Sequence, residues 1–292
     1  VNQWIKNLVV FTAIIFSGNL FDIDLFIQTA YAFGIFCLLS STSYVLNDII
    51  DYPYDKKHQH KKKRPIASGL ISIPQATFIV FILTVVSLIL ALLMSIQFFL
   101  LSVMFLLLHF FYSLRLKQYP VLDIFSISFS FLIRTVAGEI VSGFHIPIWL
   151  ILTIFFVSLF MAAVKRHAEY VAMGMKNTRS SLFRYKEHLL NFMTTTFATA
   201  TILSYSLYTY IIEQQETQVQ LDIFPEIFPN FEGRKWLMIS IPFVVYGIAR
   251  YAQLLYEKEQ GERPEKIITT DIPLIITMAI WGLIVITLIY VI

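Results

Sequence analysis

The sequence predicts an all-α integral membrane protein of about nine transmembrane helices, and three observations carry that prediction. The chain is 57% hydrophobic and only 14% charged, with a positive mean hydropathy, which excludes an ordinary soluble globule. Five stretches, Leu25 to Leu46, Leu70 to Leu114, Ile140 to Val164, Leu189 to Ile212 and Ile272 to Ile292, contain no Asp, Glu, Lys or Arg. The remaining cations gather in alternate connections. Backbone polar groups in hydrocarbon must be satisfied within their own segment, so uninterrupted apolar runs fit helices, whereas a membrane barrel would show an alternating pattern.

Taken in order, the expected spans are 4–20, 25–47, 72–94, 97–114, 121–142, 147–165, 188–212, 236–255 and 271–291. The first is the weakest, because its uncharged part starts only after Lys6 and Gly18 interrupts its end. The run from Leu70 to Leu114 is about twice the length of one crossing, so it holds two, turning at Ser95-Ile96-Gln97. The fifth span carries Asp123, Arg134 and Glu139, and the sixth closes on Lys165 and Arg166. Cys37 stands alone, so no intrachain disulfide is possible, and it is expected in the core. The chain begins at Val1, so a short leader or N-terminal segment is expected before it, and no cleavable signal is visible.

The connections orient the spans. Those after spans two, four, six and eight carry Lys56, Lys57, Lys61, Lys62, Lys63 and Arg64; Arg115 and Lys117; Lys165, Arg166, Lys176, Arg179, Arg184 and Lys186; and Lys258, Arg263 and Lys266. The others carry Arg234 and Lys235 beside Glu213, Glu216, Asp222, Glu226 and Glu232. The positive-inside rule then puts the N-terminus in the cytoplasm and the C-terminus outside. The two large inside connections, 48–71 and 165–187, lie four spans apart, which suggests two similar four-helix halves plus one extra span within a single membrane domain, 1–292.

The stretch NDIIDYPYDKKHQHKKKRPIASG from Asn47 to Gly69 concentrates chemistry at the inside surface. Asp48 and Asp51 are spaced to share a helix face and converge on one point. Pro53 is expected to end or kink that helix, with Asp55 reaching the same point from a turn and Lys56 next to it. Hard oxygens gathered at a surface suit Mg2+, which takes one or two carboxylates and leaves other positions to water and phosphates. The alternative is a polar helix end. Arg64, held before Pro65, suits a placed guanidinium that grips phosphate, whereas the lysine run alone can serve topology or anionic lipid. His58 and His60 are expected to be solvated.

A cation near mid-span costs about 2.5–3.5 kcal/mol on insertion scales, so Arg134 should meet a polar cavity or a partner. Phosphate binding and a structural ion pair both remain open for it, although Glu139 is not ideally spaced to pair with it. Asp123 can join the metal site or cap its helix. Lys165-Arg166-x-x-Glu169 places two cations in the second inside connection, where the plain alternative is a basic helix end with an intrahelical pair. Tyr205 and Tyr208 need hydrogen-bond partners if buried. Arg250-Tyr251, Pro264-Glu265 and Asp271 are further candidates. The basic run lacks interleaved aromatics for base stacking, so no nucleic acid is expected.

These residues resemble the UbiA superfamily of intramembrane prenyltransferases, marked by an NDxxDxxxD motif after the second helix. The resemblance rests on Gln3-Trp4-Ile5-Lys6-Asn7, Asn47 to Asp55, Arg64-Pro65-Ile66-Ala67-Ser68-Gly69, Arg134-Thr135-Val136-Ala137-Gly138, Lys165-Arg166-x-x-Glu169 and Pro242-Phe243-Val244-Val245-Tyr246-Gly247-x-x-Arg250-Tyr251, and covers nearly the whole chain. It implies a UbiA-like bundle in a bacterial cell membrane with its active site on the cytoplasmic side. Members of the superfamily carry a second aspartate-rich motif after span six, where this chain has Lys165, Arg166 and Glu169. Cations in place of acids remove metal ligands and add phosphate grips.

Within the superfamily the pattern is therefore similar to the branch that moves phosphoribosyl from 5-phosphoribosyl 1-diphosphate to a polyprenyl phosphate lipid, with Mg2+ as cofactor. The resemblance implies Asp48, Asp51 and Asp55 as metal-holding catalytic residues. It implies Asn47, Lys6, Lys56, Arg64, Arg134, Lys165, Arg166, Glu169 and Tyr205 as substrate-binding residues. A prenyl transfer from prenyl diphosphate to an aromatic or glyceryl acceptor is the nearest alternative, and a transporter or lipid-binding scaffold the next. Transporters tend to place their sites near the midplane, whereas these acids sit at one surface. Membrane lipids surround the chain, and a homo-oligomer is compatible with the sequence.

Overall fold

In the computed structural model of the chain, residues 4–56, 61–173, 185–211, 233–257 and 270–290 are described, and among them every regular element is helical. A 3-10 helix, Trp4–Phe11, runs into the short helix α1, Thr12–Phe16. Eight long helices follow: α2, Ile23–Asp55; α3, Ile73–Met94; α4, Ile96–Leu114; α5, Leu122–Ser142; α6, Ile148–Met173; α7, Glu187–Ile211; α8, Ile241–Glu257; and α9, Ile272–Tyr290. His58, His60 and Lys57, the part of the second expected connection from 174 to 184, the stretch from Glu213 to Glu232, and Lys258 to Lys266 lie outside the described residues.

Seven of the described helices are long and apolar enough to cross a membrane: α2 to α6, Trp236–Leu254 and α9. The expected first span takes a different form, since Trp4–Phe16 is a shorter apolar element of about 24 Å, against a hydrocarbon core of about 30 Å. The 25 residues of α7 match the expected seventh span in position, but their Thr, Ser and Tyr side chains make the helix less apolar than its neighbours.

Sequence chemistry accounts for the helix ends. Asp22 caps α2 by accepting from the backbone N–H groups of Asp24 and Leu25 at 3.0 Å. Ser95 breaks the long apolar run where expected: it leaves the helical region and its hydroxyl accepts from Phe98 N at 3.1 Å to start α4. Gly143 ends α5 in the left-handed region at φ 73°. One boundary differs from expectation, because α2 continues through Pro53 to Asp55. The residues on either side of that proline are tied together by the side-chain contacts described below, and only two helical residues follow it.

By their internal contacts the described helices divide into two units, one containing the chain up to Ile14 with α2 to α5, the other containing Ile15–Phe21 with α6 to α9. Each thus holds four long helices. In the first, Phe36 of α2 meets Phe98 and Phe105 of α4 edge-on at 5.6 and 5.4 Å, with Val10, Leu39, Ile133 and Ala137 around them. In the second, Phe160, Val164, Tyr251, Leu254 and Leu274 form the core. The outer faces of α3 and α9 stay apolar and exposed, as at Leu93 and Leu283, which suits lipid contact. Hydroxyls within the helices bond backward to their own carbonyls, including Thr84 to Val80 at 2.8 Å, Ser102 to Phe98 at 2.9 Å and Thr201 to Phe197 at 2.7 Å.

The N-terminal segment is fixed to the first unit by a close backbone approach. A Cβ added at Gly138 of α5 would lie 2.0 Å from the carbonyl oxygen of Val10, a distance that only glycine permits. Gly138→Ala is expected to push this segment off α5 and to destabilise the protein by about 1–3 kcal/mol, the usual cost of overpacking. Thermal unfolding in detergent checks this, and an unchanged midpoint would show that the segment shifts freely.

Candidate active site at the C-terminal end of α2

The 33 residues of α2 make a helix of about 50 Å, so its last turns project beyond the uncharged stretch that ends at Leu46. Asn47, Asp48, Asp51 and Asp55 recur at helical spacing on one face of that projection. Two cations meet them from other elements. Arg64 follows the short 3-10 turn Lys61–Lys63 and begins a tight loop in which Ser68 N donates to Arg64 O at 2.8 Å and Ile71 N to Pro65 O at 3.1 Å. Ile66 and Ala67 of that loop are buried, which anchors Arg64 to the fold. Lys117 comes from the 3-10 turn Leu116–Gln118 after α4. Beyond it, Leu122 N donates to Pro120 O at 2.9 Å around Val121 at φ 71°. This strained γ-turn starts α5 close to the lysine.

The carboxylates divide between the cations. Arg64 Nη1 donates to Asp48 Oδ1 at 2.7 Å and to Asp55 Oδ2 at 2.8 Å. Lys117 Nζ donates to Asp51 Oδ1 at 2.5 Å and to Asn47 Oδ1 at 3.2 Å, while Asn47 Nδ2 donates to Asp51 Oδ2 at 3.0 Å. Asp55 and Lys117 are nearly buried, whereas Arg64 and Asp48 are about a third exposed. Burial raises the Asp48 carboxyl above its ordinary range, and the Arg64 guanidinium works against that rise.

The convergence expected of Asp48 with Asp51 thus falls on Asp48 with Asp55, because Lys117 takes Asp51 to its own side. Among the described residues no group of three or more His, Cys, Asp or Glu is close enough to hold a metal. What fits a divalent cation is the pair: Arg64 Nη1 marks a point where a positive charge meets one oxygen from each of two carboxylates. Two carboxylates are the number magnesium commonly accepts from protein. Asp48 and Asp55 would hold it, and Arg64 would then be released from that point.

Lys117 is the member that sequence reasoning missed. It had been explained by topology, yet it is buried and ion-paired. The readable signal was an excess of acids at the end of α2 that required cations from elsewhere. Lys56 is exposed and lies over the Tyr52 ring at 4.6 Å. Asp123 is buried in the first turn of α5, its Oδ1 accepting from Ile124 N at 2.8 Å. Arg134 is buried at mid-span among neutral partners: Nε donates to Asn7 Oδ1 at 2.7 Å, Nη1 to Ser130 O at 2.8 Å, and Nη2 to Ser40 Oγ at 3.4 Å. The partner expected for it is therefore a hydrogen-bonding cluster, and Lys6 lies next to Asn7 in the chain.

In the second unit, Lys165, Arg166 and Glu169 lie on the last turns of α6, where Arg166 Nη1 donates to Glu169 Oε2 at 2.5 Å. Arg166 is buried. Tyr205 finds the partners expected of it, with Ser240 Oγ at 2.7 Å and Trp281 Nε1 donating at 2.9 Å. Tyr208 does not, its buried hydroxyl having no hydrogen-bond partner among the described residues. Arg250 grips Asp271 through Nε at 3.2 Å and Nη2 at 2.9 Å, and Asp271 also caps α9 by accepting from Leu274 N at 3.0 Å.

Comparison with known proteins adds to this geometry. A sequence model of the UbiA prenyltransferase family matches residues 8–283. The chain is 32% identical over 286 residues to a protein of Mycolicibacterium smegmatis named decaprenyl-phosphate phosphoribosyltransferase, covering 96% of this chain and 87% of that one. A protein of the same name from Corynebacterium glutamicum is 30% identical over 297 residues, covering 99% and 84%. In fold, a UbiA homolog from Archaeoglobus fulgidus bound to GPP and Mg2+ superposes with a TM-score of 0.68 at 18% identity, covering 99% of this chain and 96% of that one.

Proposed function

The chain belongs to the UbiA prenyltransferase family, and from that premise we propose that it transfers phosphoribosyl from 5-phosphoribosyl 1-diphosphate to a polyprenyl phosphate, releasing diphosphate. The observation that carries the proposal is the identity, over nearly the full chain, with relatives named decaprenyl-phosphate phosphoribosyltransferase. The bond from C1 to the diphosphate oxygen breaks, the diphosphate keeps the electron pair, and an oxygen of the lipid phosphate bonds to C1. That oxygen is already anionic, so the step needs no strong base.

Asp48 and Asp55 hold Mg2+, with Asp51 beside them. When bound, that ion neutralises charge developing on the departing diphosphate and orients the donor. Lys117 and Asn47 hold Asp51 in place, and Lys117 adds positive charge beside the leaving group. Arg64, released from the carboxylates, grips a phosphate, and Lys6, Lys56, Lys165 and Arg166 supply the other phosphate contacts. Glu169 orients Arg166 through their ion pair. Tyr205 is a more remote contributor, through its hydrogen bonds to Ser240 and Trp281. The chain crosses a bacterial cell membrane nine times, with a cytoplasmic N-terminus and the site on the cytoplasmic side, where the water-soluble donor is met. The prenyl diphosphate alternative calls for further acids after the sixth expected span, and Lys165 and Arg166 stand there, on the last turns of α6.

The test is a transfer assay with the purified protein in liposomes, using radiolabelled 5-phosphoribosyl 1-diphosphate, polyprenyl phosphates of several lengths, and magnesium or chelator. Magnesium-dependent label in the lipid phase is the expected result. No label from folded protein, together with turnover of prenyl diphosphate on an aromatic acceptor, would overturn the proposal.

A further inference from the structure

We infer that Arg134 is a positioning residue: through Asn7 it locks the N-terminal 3-10 helix against α2 and α5 and so sets where Lys6 stands relative to the aspartates. The inference rests on the phosphoribosyl-transfer reading for its kinetic consequences, though not for its geometry.

The guanidinium is already committed. Each of its three nitrogens donates to a neutral acceptor, and Nη1 adds a second bond to Ser130 Oγ at 3.0 Å. The Phe105 and Phe131 rings lie 4.6 and 5.5 Å from its central carbon, which shields the cation further. A charge so placed is expensive in hydrocarbon, and its hydrogen bonds and rings offset that cost without a phosphate.

Asn7 is the hub on the other side. Fully buried, it accepts from Arg134 Nε and from Ser40 Oγ at 3.2 Å, and its Nδ2 donates to Cys37 Sγ at 3.3 Å. Trp4 Nε1 donates to Ser41 Oγ at 3.2 Å, and Val10 closes on Gly138, one turn beyond Arg134. Two motifs far apart in sequence, Trp4-Ile5-Lys6-Asn7 and Arg134-x-x-x-Gly138, are therefore the two sides of one contact.

That contact bears on the site because of where it sits along α2. Cys37, Ser40, Asn47, Asp48, Asp51 and Asp55 follow one helical face. The N-terminal segment occupies the upper part of that stripe, and Arg64 and Lys117 occupy the lower part. Ser40 is about 12 Å above Asp48 along the axis. The segment runs from Ser41 at Trp4 to Gly138 at Val10, so its start is the end nearer the aspartates, and Lys6 is in that turn. Lys6 and Arg134 both lie near enough to the His109 ring of α4 to act on it electrostatically, and His109 Nε2 is buried without a hydrogen-bond partner among the described residues. Lys6, half-buried, thus stands near α4, the helix that leads into the turn carrying Lys117.

The test is a double-mutant cycle in detergent or liposomes. Asn7→Ala and Arg134→Lys are each expected to raise KM for 5-phosphoribosyl 1-diphosphate by about tenfold or more, with kcat changed less, since a small misplacement of a binding group has effects on that scale. The double variant should be no worse than either single one, and Asn7→Asp, which keeps an acceptor for Nε, should recover most of the loss. Lys6→Ala should add nothing in the Arg134→Lys background. Hydrogen exchange of the amides of residues 4–11 provides a readout that needs no substrate, and both single variants should speed it. Losses that multiply in the double variant, or raised KM with unchanged exchange, would mean that Arg134 touches the donor directly, and the inference falls. A wild-type chain that uses prenyl diphosphate and not 5-phosphoribosyl 1-diphosphate would defeat the functional reading, leaving the lock to stand or fall on the exchange data.

Discussion

Asp48→Asn is expected to lower kcat at saturating substrates by on the order of a thousandfold, the scale of losing one preorganised charge contact to a transition state. Asparagine keeps the size of the side chain and can still accept from Arg64, so the shape of the site survives. What disappears is half of the negative charge at the point where Asp48 and Asp55 meet a cation at 2.7 and 2.8 Å. A divalent ion would then be held by one carboxylate, and the magnesium concentration for half-maximal activity should rise. Stability should change little, because the Arg64–Asp48 contact is partly exposed and such pairs contribute about 1 kcal/mol or less. Activity within tenfold of wild type, with normal unfolding, would remove Asp48 from the metal pair.

Lys117→Met tests the other half of the site and should be costly to folding as well as to turnover. Methionine keeps the stem and removes Nζ, which takes the paired cation away from Asp51 in a mostly buried position, where the Asn47 amide still donates to it. Breaking a buried pair from one side costs about 3 kcal/mol at the low end of its range, a fall of roughly 10 °C in Tm. Adding Asp51→Asn removes the stranded charge, so the double variant should regain much of that stability and none of the activity. A double variant less stable than Lys117→Met would show that Asp51 has other support and that the pair is not the unit described.

Much of this arrangement was legible in the sequence, for physical reasons that differ from residue to residue. The break at Ser95 could be read because a hydroxyl cap after an apolar run has a local cause. The aspartate face of α2 could be read because helical periodicity is local too. The division of its acids was hidden, since Lys117 reaches Asp51 across 66 residues and a lysine between spans already had a sufficient explanation in topology. Of the two outcomes expected at Pro53, an end or a kink, the end does not occur: intrinsic preference favours it, but the bridge from Asp48 through Arg64 to Asp55 ties the next residues to the helix. Arg134 was expected to need a partner, but nothing in a neutral asparagine 127 residues away announces that role. The first expected span takes the form of a 3-10 segment running into a short α-helix, a distinction that hydropathy does not make.

The backward hydrogen bonds of the helical hydroxyls bear on how the chain is made. Thr84, Ser102 and Thr201 each carry their acceptor with them, so α3, α4 and α7 can leave the translocation machinery one at a time without waiting for a neighbour. Arg134 is different, because Ser130 is the partner within its own helix and the others, Asn7 and Ser40, belong to earlier segments. Synthesis proceeds from the N-terminus, so both are already in the bilayer when α5 emerges. The fifth helix is thus the first whose partitioning into lipid depends on a tertiary contact, and slowing the ribosome just after Ser142 should help it to insert, whereas removing the first eleven residues should hinder it.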